Sequence, residues 1–387
     1  MADTIAAPGL TPQQWDDKFF VQWVHEGGFK TMMGSDEASI IQVKQDLNKK
    51  PGDSLTYALV NRLTNAATTG SAVLEGNEED LISRSMRVYV DKRRNAVRLS
   101  EMNEQKSAIN LRNAGKAALM TWATEDFRDQ CITELGALAS TSTNSVAFVN
   151  RTAAIGDAWL VNNKLHTVFG AYAAGGSAGG TDLSADLAQL DTTNDLFNFN
   201  RLDDMILCAK TGSLTVPKVR PIRDPGNGKR YYVALANPYA FKNLRDSIDT
   251  EVLALTNVEA QASKLFEGGD LMWNGVIIKE IDDIPIYSNI GASATTEVTP
   301  VYLLGAQALA YAEAKRWTTV TEEFDYGDKY GVAVESIYGV RKLIFGSGAT
   351  DTTTPLDYGV VTGFFATTGA GTANGLNASS GTSAETA

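Results

Sequence analysis

Hydrophobic positions recur with a helical period between residues 109 and 135. One series passes through Ala118 and Trp122 and a second through Ala123 and Phe127, each in steps of three or four residues. Gly136 follows directly, as is typical of a helix C-terminus. The pattern predicts one helix of roughly 40 Å, long enough to cross a whole domain.

A different, two-residue period predicts β-strands in residues 40–99. Met86, Val88 and Val90 alternate with side chains suited to solvent, which is typical of a half-exposed strand, and a polar turn at 44–53 separates the strands. Since little of this region is apolar on both faces, we expect an extended β arm with little core of its own, which needs a partner surface.

The pattern changes again after residue 203, where strands and helices alternate. A strand is predicted at Tyr231–Leu235, followed by a turn and a helix, with two strands in residues 273–289. An apolar strand begins near Val301, and one or two long strands lie in residues 323–345. Shorter helices are expected at Thr152–Lys164 and Thr193–Leu196. These elements indicate a second unit of α/β type.

The two ends of the chain differ from its middle. Trp15, Phe19 and Trp23 predict a short amphipathic N-terminal helix, whose apolar face would dock on its own core or on a neighbouring subunit. Beyond Gly346 the composition is rich in Gly, Ala, Ser and Thr, and Leu376 is the one large apolar residue in 367–387. We expect a flexible tail there.

The overall charge excludes some classes of function. The net charge is −12 and the isoelectric point lies near 4.8, which argues against a dedicated nucleic-acid-binding surface. The N-terminus lacks the features of a signal peptide, and no run approaches the roughly 18 apolar residues of a membrane span. We therefore expect a soluble cytoplasmic protein in which Cys131 and Cys208 are buried thiols.

Charges within the β arm are sorted by sign. Two interpretations stay open: a solvated hairpin of mixed charge, or patches of opposite sign that mate between subunits and set register and partner choice. The candidate intersubunit residues are the acids Glu75, Glu78, Glu79 and Asp80, the bases Arg84, Arg87, Arg93 and Arg94, and the aromatic residues Trp15, Phe19 and Trp23.

Catalytic chemistry is hard to find in the sequence. Ser177 stands in a G-x-S-x-G match, but His25 and His166 both precede it and four glycines surround it, so we expect a loop and not a nucleophile. Metal-binding and dinucleotide motifs are missing, and acidic doublets such as Asp203-Asp204 are typical of solvated turns. We expect no enzyme, no cofactor and no metal.

The order of these parts resembles the major capsid proteins of tailed double-stranded-DNA phages, in particular the phage N-four-like branch. The resemblance extends in order over residues 10–345. It is carried by LTPQQWDDKFFVQWV, IIQVKQDLNKKPGDSLTYALVNRL, VLEGNEEDLISRS, SEMNEQKSAINLRNAGKAAL, LLGAQALAYAEAKRW and EFDYGDKYGVAVESIYGVRKLIF.

The resemblance implies the Hong Kong ninety-seven-like α+β fold. Its parts would be an N-terminal arm (1–39), an extended β loop (40–99), a peripheral domain with the spine helix (100–202), an axial α/β domain (203–318), return strands of the peripheral domain (319–346) and the flexible tail (347–387).

The same resemblance implies partners. The chain would assemble with itself, as pentamers and hexamers of an icosahedral shell, in the bacterial cytoplasm and would reside in the virion. A portal protein, a separate scaffolding protein and a decoration protein are further expected partners; packaged DNA would be held only weakly, and no membrane is involved. The alternatives are an encapsulin-type nanocompartment shell, a tail or adhesin structural protein, and a hydrolase around Ser177.

Overall fold

The computed structural model describes most of the chain between residues 29 and 367. The described ranges are 29–46, 52–60, 63, 66–71, 73–81, 83–106, 111–141, 144–173, 180–212, 217–223, 229–247, 266–267, 270–346 and 354–367.

Within these ranges the helices are α1 (Glu101–Lys106), α2 (Leu111–Gly136), α3 (Ala153–Asn162), α4 (Leu183–Leu187), α5 (Phe199–Lys210) and α6 (Pro238–Asp246). The strands of the first half are β1 (Met33–Gly34), β2 (Ile41–Lys44), β3 (Ser54–Val60), β4 (Ser83–Tyr89), β5 (Asp91–Ser100), β6 (Leu138–Thr141), β7 (Asn144–Val146), β8 (Thr167–Phe169) and β9 (Tyr172–Ala173). Those of the second half are β10 (Ile222–Arg223), β11 (Arg230–Ala236), β12 (Phe266–Glu267), β13 (Asp270–Trp273), β14 (Val276–Glu280), β15 (Val298–Leu304), β16 (Leu309–Phe324), β17 (Lys329–Lys342), β18 (Ile344–Gly346), β19 (Pro355–Asp357) and β20 (Val360–Ala366).

A five-stranded sheet packs against the long helix α2. Its order is β1-β2-β16-β17-β5, with β5 at one edge. Phe127 of the helix meets Tyr311 of β16 edge-on, with ring centroids 5.6 Å apart, and Trp122 meets Trp317 in the same way at 6.1 Å. These aromatic contacts fix the helix across the sheet.

A nine-stranded mixed sheet forms the second layer. Its order is β12-β13-β14-β11-β15-β20-β8-β9, and β10 pairs with β11 beside this path. Buried residues of α5 and α6, among them Met205 and Leu244, belong to one apolar cluster with the strand residues Ala234, Val301 and Phe365. Every residue of β15 and β20 is buried, so both faces of these strands are covered.

The long helix is confirmed, and only one of its two apolar series is buried. Leu119, Ala123, Phe127 and Cys131 are buried, whereas Ala118 of the other series is exposed. Cys131 and Cys208 are both buried and neither forms a disulfide, as the sequence predicts.

The helix predicted at Thr193–Leu196 is wrong. The Asp195 carboxylate accepts hydrogen bonds from the backbone N–H groups of Ala171 (2.7 Å) and Asp191 (2.9 Å), so the segment is a turn. Local side-chain acceptors of this kind compete with helix formation. The next helix, α5, begins three residues later and is capped by Asn198.

One of the two strands predicted in residues 273–289 is confirmed as β14 (Val276–Glu280). The other is reduced to an isolated bridge between Tyr287 and Val298. Pro285 has no N–H to donate to a ladder, which limits pairing there.

Two features of the chain's last third differ from the expected domain plan. β16 (Leu309–Phe324) is continuous across the expected boundary at 318/319 and pairs with β2 of the peripheral sheet from Leu309 onward. Within the expected flexible tail, β19 (Pro355–Asp357) and β20 (Val360–Ala366) are fully buried, so tail flexibility is wrong for this stretch. β20 is inserted between β15 and β8, which gives its apolar residues a core to enter.

The β arm is anchored more firmly in its own chain than its sequence indicates. Leu55, Tyr57, Met86 and Val88 of the β3–β4 hairpin are buried, and the Tyr57 hydroxyl donates to the carbonyl of Tyr311 (3.0 Å). The base of the arm therefore has a core in the subunit itself.

Candidate intersubunit surfaces

Residues 73–81, here called the acidic segment, connect the strands of the β3–β4 hairpin. Glu75, Glu78 and Asp80 are exposed, and Glu79 is half-buried. The hydrogen bonds at Asn77 and Glu78 stay inside the segment: Asn77 Nδ2 donates to the Val73 carbonyl (2.9 Å), and the Gly76 N–H donates to Glu78 Oε2 (2.7 Å). The acids thus sit on a turn that projects into solvent.

Large apolar side chains of the same arm are also exposed. Val73, Leu74 and Leu81 are 66%, 61% and 68% exposed, and Val60 and Leu63 nearer the hairpin are 57% and 63% exposed. Single exposed apolar residues are ordinary, whereas five large ones in one arm are more typical of a surface that contacts another protein.

The basic residues lie mainly on β4 and β5. Arg87 and Arg94 are exposed, and Arg84 is half-buried with a partner in its own chain. β5 is an edge strand, and charged side chains on such an edge discourage unspecific strand pairing.

Arg93 differs from its neighbours because its guanidinium forms an ion pair within the subunit. Its guanidinium forms an ion pair with Asp126 of α2, whose other oxygen accepts a hydrogen bond from the Tyr338 hydroxyl (2.8 Å). Burial, followed by the charge of Asp126, raises the pKa of Tyr338, so the hydroxyl remains a donor. Arg93 therefore joins β5 to the spine helix.

A second ion cluster fixes β5 to the sheet. Glu335 Oε2 lies 2.7 Å from Lys92 Nζ, and Glu335 Oε1 lies 2.5 Å from Lys315 Nζ. The hydrogen bonds from Lys315 and Lys92 lower the pKa of Glu335. The bases of the arm thus divide into an inward set that holds β5 and an outward set that is exposed.

The tip of the β16–β17 hairpin is an exposed surface that sequence reasoning missed. Tyr326 is fully exposed, and Phe324 and Val320 are 37% and 46% exposed. Asp325 and Tyr326 both have φ of 55°, which non-glycine residues seldom adopt. The one available signal was Gly327, which follows these two residues in the left-handed region.

Trp15, Phe19 and Trp23 lie outside the described residues, as does Ser177. Phe29, at the end of the expected N-terminal arm, is buried edge-on against Phe127 of α2, with centroids 6.4 Å apart. At least this end of the arm docks on the core of its own chain.

His166 is enclosed by backbone carbonyls. Its Nδ1 lies 3.0 Å from the carbonyl of Asp357 and its Nε2 3.1 Å from that of Pro217. Burial lowers the pKa of the imidazole, and each ring nitrogen is within hydrogen-bond distance of one of these carbonyls. Among the described residues there is no cluster of side chains that could hold a metal ion. In the same ranges, every helix is too short or too polar to span a bilayer.

The described residues thus combine a long spine helix on one sheet, a second α/β layer and a projecting arm. A family of phage capsid proteins matches residues 7–363.

The chain belongs to the phage capsid protein family.

Individual relatives agree with this assignment. The capsid protein is 28% identical to the major capsid protein of Pseudomonas phage KPP25 over 377 residues, which are 91% of the chain and 95% of the relative. The capsid asymmetric unit of cyanophage Pam1 has a TM-score of 0.76 and 28% identity, with 95% of this chain and all of that one covered. The capsid of Ralstonia phage GP4, at 20% identity, has a TM-score of 0.68 over 88% and 91% of the two chains and supports the fold alone.

The comparisons confirm the α+β Hong Kong ninety-seven-like fold and the assignment as a phage major capsid protein. The nanocompartment and hydrolase alternatives find no comparable support. The narrower place in the phage N-four-like branch stays a prediction.

Proposed function

We propose that the capsid protein assembles through pentamers and hexamers into the icosahedral shell that encloses a tailed phage's double-stranded DNA. The family match over residues 7–363 is the observation that carries this proposal. The exposed apolar and acidic side chains of the arm support it, since they have the composition of a protein contact that the isolated subunit leaves uncovered.

The proposal assigns a role to each region. Residues 1–39 serve as the N-terminal arm and 40–99 as the loop laid across a neighbour. Residues 100–202, apart from β8 and β9 of the nine-stranded sheet, form the peripheral domain together with β16 and β17. The α/β layer that follows residue 203 is the axial domain at the capsomer centre.

Charge mating between subunits is part of the proposal. The outward bases Arg87 and Arg94, with Arg84 beside them, would face acids of another copy. In such contacts charge complementarity sets partner choice and register more than raw affinity. Trp15, Phe19 and Trp23 of the N-terminal arm are proposed as additional intersubunit anchors.

Further partners follow from the same role. A portal protein, a separate scaffolding protein and a decoration protein would bind the shell, which forms in the bacterial cytoplasm. Since the chain carries a net charge of −12, it would hold packaged DNA weakly.

The test is to express the chain alone and examine it by size-exclusion chromatography and negative-stain electron microscopy. Closed shells, or rings of five and six subunits, are expected. A 41.5 kDa monomer that persists even when the chain is produced together with the other head proteins of its phage would contradict the proposal.

A further inference from the structure

One concave surface of this acidic protein is lined by basic side chains. Two adjoining cavities of about 350 and 520 Å³ share Arg220, Pro221 and Arg230 in their walls. We call this surface the basic groove and define it by Lys210, Lys218, Arg220, Arg223 and Arg230. Its residues come from the end of α5, the loop after it, β10 and the start of β11.

Within the described part of the chain, one weak ion pair is the neutralisation that the charges of the basic groove receive. Arg220 pairs with Glu37 at 3.3 Å, but those side chains are 56% and 73% exposed, so the ion pair is weak. Lys210, Lys218, Arg223 and Arg230 form no ion pair with a carboxylate in the described part of the chain. Five like charges around one concavity favour an anionic occupant.

Hydrogen bonds to neighbouring elements fix the position of the loop that lines the groove. The Val219 N–H donates to the Ala209 carbonyl (3.0 Å), and the Tyr232 hydroxyl donates to the Val219 carbonyl (3.1 Å). The Ala306 N–H donates to the Arg220 carbonyl (2.7 Å). A Cβ on Gly305 would lie 2.4 Å from that carbonyl oxygen, so the loop packs directly on the chain there.

The lining is apolar as well as basic. Ala209, Val219, Pro221 and Tyr232 lie between the charged side chains, and Val219 and Tyr232 are buried beneath them. An occupant that fills this groove well therefore carries negative charge together with apolar side chains. Duplex DNA offers phosphates alone, and a net charge of −12 on the subunit repels it.

The acidic segment has this combination. Its exposed acids Glu75, Glu78 and Asp80 are flanked by the exposed apolar residues Leu74 and Leu81. The described lining of the groove includes no residue of the segment, so the segment of the same subunit does not fill it.

We propose that the acidic segment of a second copy of this chain docks in the basic groove. The proposal rests on the shell function proposed above and names the receiving surface for the arm. The acids of the segment would pair with Lys218, Arg220 and Arg230, and its leucines would cover the apolar floor.

Zero-length carbodiimide cross-linking of assembled shells tests this contact, because the reagent joins only amines and carboxylates that touch. Shells are assembled from a mixture of isotopically heavy and light chains, digested and analysed by mass spectrometry. We expect peptides in which Lys210 or Lys218 is joined to residues 75–80, with one heavy and one light partner. Lys210→Arg/Lys218→Arg keeps the charge and should abolish these products while shells still form.

Charge reversal provides a second measurement. Arg220→Glu/Arg230→Glu should lower the shell yield by about tenfold or more, and the added Glu75→Arg/Glu78→Arg should restore it in part. Lys242→Glu on α6, an exposed base outside the groove, is the matched control and should leave the yield unchanged.

The outcomes separate the two proposals. Shells whose acidic segment is cross-linked only to other lysines would overturn the docking site and leave the shell function intact. Binding of a fluorescent DNA duplex that Arg220→Glu/Arg230→Glu abolishes, without the expected cross-links, would assign the groove to nucleic acid instead. Absence of shells under every condition would contradict the shell function itself.

Discussion

Lys342 Nζ lies 2.7 Å from Asp357 Oδ2, and the two side chains are 1% and 2% exposed. The same carboxylate oxygen accepts a hydrogen bond from Trp159 Nε1 (3.1 Å). The pair links β17 to β19, a strand that lies in the chain's expected flexible tail. A buried ion pair with added hydrogen bonds specifies this docking, because either partner alone would be an unpaired charge in the core.

Lys342→Met should lower the free energy of unfolding by about 3–5 kcal/mol, since it leaves the Asp357 carboxylate buried without its cation. Urea unfolding followed by tryptophan fluorescence measures the change. The double variant Lys342→Met/Asp357→Asn removes both charges and should recover much of the loss. A single variant as stable as the unmodified chain would show that the carboxylate finds water or another partner.

The cluster around Glu335 should make stability depend on pH. Because Lys315 and Lys92 lower the pKa of Glu335 in the folded chain, its contribution is present above the unfolded value of about 4.3 and is lost as the pH falls through the folded value. Glu335→Gln should cost about 1 kcal/mol at neutral pH and nothing at pH values below the folded pKa. Unfolding midpoints of both proteins between neutral and acid pH check this. A cost that does not change with pH would indicate a packing effect instead.

Arg93 and Arg94 should respond differently to charge reversal. Arg93→Glu places a carboxylate beside Asp126 and should destabilise the subunit by about 2 kcal/mol or more. Arg94 is exposed but lies opposite Glu335 of β17, so Arg94→Glu should cost the subunit only about 1 kcal/mol or less while it lowers the shell yield. Arg94→Lys is its charge-preserving control. Normal yields from Arg94→Glu would remove this residue from the charge-mating proposal without affecting the family assignment.

The position of the last strand predicts how far the chain can be shortened. A stop after Thr367 retains every described strand and should preserve the far-ultraviolet circular dichroism and cooperative melting of the full chain. A stop after Gly346 removes β20 from between β15 and β8 and exposes buried Val360, Val361 and Phe365. That shorter chain should aggregate or melt without a cooperative transition. If the chain that ends at Gly346 melts cooperatively, β20 is not required for the fold.

The local sequence pattern was sufficient to predict elements that have a regular hydrophobic period and clear end signals. The helix α2 (Leu111–Gly136) and the strand β11 (Arg230–Ala236) were predicted within one or two residues, and the helix after β11 was predicted without bounds. The turn at Asp195 was missed because its carboxylate accepts from the N–H groups of Asp191 and of Ala171, and the contact with Ala171, 24 residues away, leaves no local signal.

The candidate intersubunit surfaces were likewise only partly predictable from the sequence. The sorted charges and the missing catalytic pairs were visible in the sequence, since they depend on residue types alone. That Arg93 faces inward and Arg94 outward depends on the pairing of β5 with β17, which sets the side-chain alternation against α2. The basic groove is assembled from residues of separate elements and has no sequence signature of its own.

The sequence by itself determined the spine helix, the acidic balance and the family of this capsid protein. The tertiary structure alone decided that β20, in a Gly- and Thr-rich stretch, is a central strand, and that Lys342 and Asp357 form a pair. The physical reason is that local periodicity reports which residues can be buried together along one element. Strand insertion, buried ion pairs and concave surfaces depend instead on which elements, distant in the sequence, pack against each other.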